Sequence, residues 1–278
     1  MGVVGLFCCA NVDALDVERL APQDVERLHA TLQQLEPLIS AKKHDGTANL
    51  LSWEELYAPL SNEERALLDA FRALKAESLG ATTPPPVGEP EAGPGGAGIA
   101  EGNPPTGGGA SHYFGEAPAG LELVAVGPQQ ILKDGTPTLL DPQFLPNDVH
   151  IAYVAMTDAM ERDLGKRLLV ESGYRSPAYQ LYLFLFYLPK HTHSIRETNR
   201  YVALPGYSEH GAPMQQAIDF INQDGINGED HPEDFEVLPE YQWLLANAHR
   251  FGFHLSYPRN NPYNTAFEPW HWHYESSP

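Results

Sequence analysis

Apolar positions divide the chain into two textures with a break between them. From residue 15 to residue 80 they recur at helical spacing: Val25, Leu28, Leu32 and Leu35 form one stripe, and Leu67, Leu68, Phe71 and Leu74 a second. Ser52-Trp53-Glu54-Glu55 and Ser61-Asn62-Glu63-Glu64 each place a glutamate three residues after a serine, as a capping box does. Each therefore opens a helix, and Gly80 stops the later one. Two or three amphipathic helices are too few for a core of their own. They either pack on the rest of the chain or form a small docking hairpin, and nothing in them carries chemistry.

Residues 81–110 hold seven prolines and nine glycines, a composition that buries too little apolar surface to offset its ordering entropy. This predicts a flexible linker over 81–111. Beyond it the pattern mixes periods. Leu121 to Val126 reads as a strand, Lys133-Asp134-Gly135 as a hairpin turn, and Tyr153, Met156, Met160 and Leu164 as one face of a helix ended by Gly165. A short strand follows over Leu168 to Glu171. Ser176 as N-cap and Pro177 at the first helical position open a helix that runs to Leu188.

Further on, Ile218 and Phe220 share one face of a strand and Asp219 takes the other. Tyr241, Leu244, Leu245 and Ala248 mark a helix, and Phe253 to Tyr257 a strand. At the end Trp270-His271-Trp272-His273-Tyr274 alternates, which puts His271 and His273 on one face and the three aromatics on the other. The whole predicts an α+β domain over 112–278, a small antiparallel sheet flanked by helices and preceded by the helical segment 15–80. Residues 1–14 read as a stub with an incomplete export signal, because the apolar run Val3 to Ala10 has no basic residues ahead of it.

Composition narrows the function classes. The formal charge of −20 argues against a nucleic-acid or anionic-membrane surface, both of which need a basic footprint. No apolar run approaches the length of a membrane span. Cys8 and Cys9 are the only cysteines, so neither a disulfide framework nor a cysteine-based zinc site is available downstream. Oligomeric state is open.

Three segments carry candidate chemistry. Glu268-Pro269-Trp270-His271 places a carboxylate three residues before an imidazole, as a general base beside a zinc ligand would be; a core strand with hydrogen-bonded histidines is the alternative. Asp219 is an acid on a strand where a buried face is expected, and a metal is one of the few partners that compensate it, with His210 as a co-ligand. Arg175 stands just before a helix N-terminus, where both can face an anion, or else it pairs with a neighbouring acid. His191 and His193 read as loop residues rather than ligands.

In their order, Ser172-Gly173-Tyr174-Arg175-Ser176 with Gln180, then Ser208-Glu209-His210 with Ala217-Ile218-Asp219, then Glu268-Pro269-Trp270-His271 resemble the VanY-like zinc D-Ala-D-Ala carboxypeptidases. These belong to the superfamily that also holds lysostaphin and the Hedgehog signalling domain. The similarity covers about residues 120–274. It implies that His210, Asp219 and His271 bind one Zn²⁺ and that Glu268 is the general base. It also implies that Arg175 stabilises the substrate's carbonyl oxygen or holds a carboxylate. Ser208, Gln180, Tyr174 and Trp270 would contact the peptide, and His273 would stand behind the metal or serve as an alternative ligand.

The implied function is removal of the C-terminal D-alanine from peptidoglycan stem peptides. Alternatives are an L,D-carboxypeptidase or an endopeptidase using the same metal, or a non-catalytic module that keeps the metal and binds cell wall or a protein. The substrate implies a periplasmic, envelope or extracellular location, with the cytoplasm as the alternative. Two features depart from the family. His210 and Asp219 lie nine residues apart rather than seven, with Met214-Gln215-Gln216 where a glycine is expected, and His273 stands where a basic residue such as Arg is common.

Overall fold

The computed structural model describes residues 15–75, 79, 113–115, 120–133, 135–212, 214–261 and 266–275. The expected stub, the whole linker 81–111 and the Gly80 stop lie outside them.

The N-terminal segment forms α1 (Pro22–His44), a 3₁₀ turn at Ala48–Leu50, α2 (Trp53–Tyr57) and α3 (Asn62–Arg72). Both predicted capping boxes are formed: Ser52 Oγ accepts from Glu55 N, Ser61 Oγ accepts from Glu64 N, and each glutamate returns to its serine's N–H. Helix α3 ends at Arg72, eight residues before Gly80, because Ala73 and Leu74 already leave the helix.

The rest contains β1 (Leu123–Ala125), β2 (Gln130–Lys133), β3 (Thr136–Leu139), β4 (Phe144–Pro146), α4 (Asn147–Leu164), β5 (Leu168–Ser172) and α5 (Pro177–Tyr187). After it come α6 (Ile195–Thr198), β6 (Ala217–Asn222), α7 (Pro232–Glu236), α8 (Pro239–Asn247), β7 (Phe253–Leu255) and β8 (His271–Tyr274). Strands β5, β6, β8 and β7 form an antiparallel sheet in that order, and β1–β4 and β2–β3 are separate antiparallel pairs. The architecture is thus α+β with a small antiparallel sheet. Glycine ends α4 as expected, since Gly165 takes φ +67°, a left-handed conformation that a side chain disfavours. No helix among the described residues is long and apolar enough to cross a membrane.

Two cores explain how the sheet is held. On one face, Val170, Ile218, Phe220, Phe253 and Trp272 pack with Val149, Tyr153 and Met156 of α4 and Trp243 and Leu244 of α8. Each such large side chain, once fully buried, contributes about 1.5–3 kcal/mol. The second core joins Leu28, Leu35, Leu51, Leu56, Leu68 and Phe71 of the N-terminal helices to Leu181, Phe184, Leu185 and Leu188 on and just after α5. The helical segment therefore packs on the main body through α5, which is apolar all round because it is covered on several sides.

Candidate active site

The face of the sheet opposite the first core carries the polar residues. Alternation along β6 buries Ile218 and Phe220 and turns Asp219 the other way, and the antiparallel register sets Asp219 directly opposite His271 of β8 and beside Ser172 of β5. Opposed residues of an antiparallel pair have Cβ atoms about 5 Å apart, so the carboxylate and the imidazole are neighbours by construction. His210 arrives from another element, the 3₁₀ turn Glu209–Gly211, whose N-cap Ser208 accepts from His210 N. Ligand atoms of His210, Asp219 and His271 all lie within 4.8 Å of one another. The longer spacing between His210 and Asp219 leaves them converging, with Met214 exposed on the connection.

Hydrogen bonding fixes the protonation of both rings. His210 Nδ1 donates to the Gly173 carbonyl at 2.8 Å, so its Nε2 is a bare lone pair. That Nε2 lies 3.0 Å from Asp219 Oδ2 without a hydrogen bond between them. Burial, followed by the Arg175 charge, brings the His210 pKa down to about 4 and keeps the ring neutral. Two acceptors facing each other this closely repel unless a cation lies between them, which is the arrangement that a divalent metal resolves.

His271 lies between two carboxylates, with Nδ1 2.8 Å from Asp219 Oδ1 and Nε2 2.7 Å from Glu209 Oε2. Burial opposes its charge, but Asp219 and Glu209 outweigh burial and raise the pKa to about 10. Asp219 is held well below the usual carboxylate range: burial works against ionisation, and the His210 and His271 imidazoles beside it overcome that. A metal ion would take the place of the Nδ1 proton, while Glu209 would keep the far side of the ring oriented. Two imidazoles and a carboxylate, with the remaining position open to solvent or substrate, fit a catalytic zinc ion.

Glu268 precedes β8 in a turn closed by His271 N donating to its carbonyl, and its Oε2 lies 3.9 Å from His271 Nδ1. Burial pushes its pKa up to about 7; His271 and Arg175 pull it down, and Asp219 and Glu209 push it further up. Arg175 is tied to the same cluster, its N–H donating to the His210 carbonyl at 2.9 Å and its Nη2 3.8 Å from Asp219 Oδ2, while Nε has no partner among the described residues. The guanidinium thus stands beside the acid of the metal cluster and also faces the cleft.

The remaining candidates separate. Ser208, Gln180 and Trp270 line a cleft of about 710 Å³ that also exposes Arg175, Glu268 and His271. Gln180 Nε2 donates to the Ala203 carbonyl and leaves Oε1 unpartnered. Tyr174 is buried and does not line this cleft. His273 shares the His271 face but accepts or donates to Ser256 Oγ at 2.7 Å and lies 3.8 Å from Glu209, outside the three-residue cluster. His191 stacks on Tyr201.

Sequence reasoning passed over Glu209, Glu171 and the N-terminal segment. The only signal for Glu209 is an acid adjacent to a candidate ligand, a pattern that occurs widely on surfaces. Glu171, beside Ser172 on β5, accepts from Asn227 Nδ2 at 2.8 Å, and burial raises its pKa to about 7. Lys43, Gly46, Ala48 and Asn49 form part of the cleft wall, although the helices that carry them hold no recognisable motif.

Comparisons with known proteins agree with the geometry. Residues 143–277 match the family model described as VanY, D-alanyl-D-alanine carboxypeptidase. Over 137 residues the chain is 30% identical to YodJ, a candidate carboxypeptidase of Bacillus subtilis strain 168, covering 49% of this chain and 48% of that protein. Over 80 residues it is 42% identical to a D-alanyl-D-alanine carboxypeptidase of Enterococcus faecalis V583, covering 28% of this chain and 26% of the other. Among solved structures, the LdcB LD-carboxypeptidase aligns at 30% identity and a TM-score of 0.41, over 47% of this chain and 59% of that one. The chain spans about half the length, or less, of the curated relatives it matches. His210, Asp219, Glu268 and His271 all fall inside residues 143–277, the segment that matches the VanY D-alanyl-D-alanine carboxypeptidase model.

Proposed function

We propose that this protein is a zinc-dependent carboxypeptidase that removes the C-terminal D-alanine from peptidoglycan stem peptides. The observation that carries the reading is the convergence of His210, Asp219 and His271 beside the recessed Glu268 carboxylate. Bound there, zinc would polarise the scissile carbonyl and acidify the attacking water. Glu268, with a pKa raised toward neutrality, takes that water's proton and returns it to the departing amine. Arg175, with an unpartnered Nε at the cleft, holds the substrate's carbonyl oxygen or its terminal carboxylate, and Ser208, Gln180 and Trp270 line the path of the peptide. His210 and His271 keep their metal-facing nitrogens aimed because Gly173 and Glu209 hold the opposite edges of the rings.

Removal of a D-alanine from a Lys-D-Ala-D-Ala peptide by zinc-loaded protein, with Glu268→Ala as the control, tests this reading. Metal-free protein that turns over equally well, or a Glu268→Ala variant as active as the parent, would overturn it. An L,D-carboxypeptidase is the second reading, favoured by the 30% identity to LdcB. Release from a peptide ending in a single D-alanine separates the two. Either substrate places the work of the enzyme in the cell envelope.

A further inference from the structure

We propose that Asn49, on the N-terminal helical segment and outside the family match, binds the substrate by pairing its carboxamide with one backbone amide of the bound peptide. This rests on the carboxypeptidase reading for the chemistry of the ligand. Asn49 lies in the 3₁₀ turn Ala48–Leu50 and lines the same cleft as Arg175, Gln180 and Glu268. It is 7% exposed, and neither Nδ2 nor Oδ1 has a hydrogen-bond partner among the described residues. Buried polar side chains are nearly always satisfied, so an amide with both halves unpaired needs an explanation. A carboxamide offers one donor edge and one acceptor edge side by side, which match the C=O and N–H of a peptide group.

The turn is built to hold that group still. Asn49 O accepts from Ser176 N at 2.8 Å, and the carbonyl of Leu51, the residue after the turn, accepts from Ser176 Oγ at 2.6 Å. Ser176 follows Arg175 directly, so Asn49 is anchored to the residue next to the cluster's guanidinium. On the other side Gly46, at φ +68°, leaves room for Pro142, where a Cβ would lie 2.4 Å from the proline ring. For asparagine the last side-chain torsion is broad, so the amide can turn about it without moving the backbone of the turn. Gln180 Oε1 and Arg175 Nε are likewise unpartnered on the same wall, as expected where polar groups await a peptide.

The test uses full-length zinc-loaded protein and an acyl-Lys-D-Ala-D-Ala peptide, together with analogues in which each non-scissile amide is replaced, one at a time, by an ester. KM is compared for parent and Asn49→Ala, and Kd for the same peptides is measured in a Glu268→Gln background, so that binding is read even where nothing is cut. Asn49→Ala should weaken the parent peptide about 3- to 10-fold, as for loss of one or two hydrogen bonds. That loss should shrink for the one analogue lacking the paired N–H, whose ester keeps only the carbonyl contact. The same loss on every analogue, or none on any, overturns the inference. Should Asn49→Ala fold poorly, Asn49→Leu keeps the volume without either polar edge and is read in the same way. A peptide that binds without being cut counts against the carboxypeptidase reading alone, because the binding series still decides the role of Asn49.

Discussion

His210 Nδ1 donates to the Gly173 carbonyl at 2.8 Å, and this single contact across 37 residues decides which nitrogen of the ring is left for a metal. Gly173 has no room for a side chain: a Cβ there would lie 2.5 Å from the Phe144 carbonyl oxygen and 3.0 Å from Leu145. Gly173→Ala must therefore shift the strand end that holds the imidazole. We expect zinc affinity to fall about 10- to 100-fold, as when the partner that orients a ligand is lost. Competition with a chromogenic chelator measures it, and unchanged affinity in a folded variant would show that the carbonyl is not what aims His210.

Glu209 does the same for His271, at 2.7 Å from Nε2. Glu209→Gln keeps the volume but replaces a charged acceptor by a neutral one. Zinc affinity should drop about 10- to 100-fold. Its pH dependence should also move, because the His271 Nδ1 proton that zinc must displace is held partly by the Glu209 charge. With the carboxylate gone that proton is released at lower pH. Calorimetric titration in two buffers of different ionisation heat counts the protons released.

Glu268→Gln should retain zinc, because the residue is not among the three converging ligands. Its kcat should fall about 10²- to 10⁴-fold, the usual worth of a positioned base. Metal analysis alongside single-turnover kinetics checks both halves. A variant that loses zinc would make Glu268 a ligand rather than a base.

Glu171 supplies a prediction about stability. Burial raises its folded-state pKa to about 7 from 4.5, so the folded protein favours the neutral acid. Its contribution is fully present below pH 4.5 and is lost as pH rises through 7. Glu171→Gln, which is neutral throughout, should fall less in stability between pH 4.5 and pH 7 than the parent. Chemical denaturation of metal-free protein across that window reads the difference, and parallel curves would contradict it.

Much of this was legible in the chain itself. Capping boxes at Ser52 and Ser61, the N-cap at Ser176 and the glycine after Leu164 are local devices, set by residues within a few positions of one another, and the structure realises each. Period-two alternation placed Asp219 opposite Ile218 and Phe220, and His271 with His273, since a strand turns successive side chains to opposite faces. The helix end expected at Gly80 was misplaced because nothing local marks the end at Arg72.

Only the tertiary structure decided the rest. Register between β6 and β8 set Asp219 against His271, and it depends on pairing across 52 residues of sequence. The Gly173 carbonyl and the Glu209 carboxylate became partners of the two imidazoles through contacts spanning 37 and 62 residues. The N-terminal helices became a wall of the cleft because their apolar stripes found α5, whose own sequence names no partner. Local hydrogen bonding and side-chain alternation are encoded over a few residues. Which apolar faces meet, and which polar atoms are left without partners where they meet, emerges only when the whole chain packs.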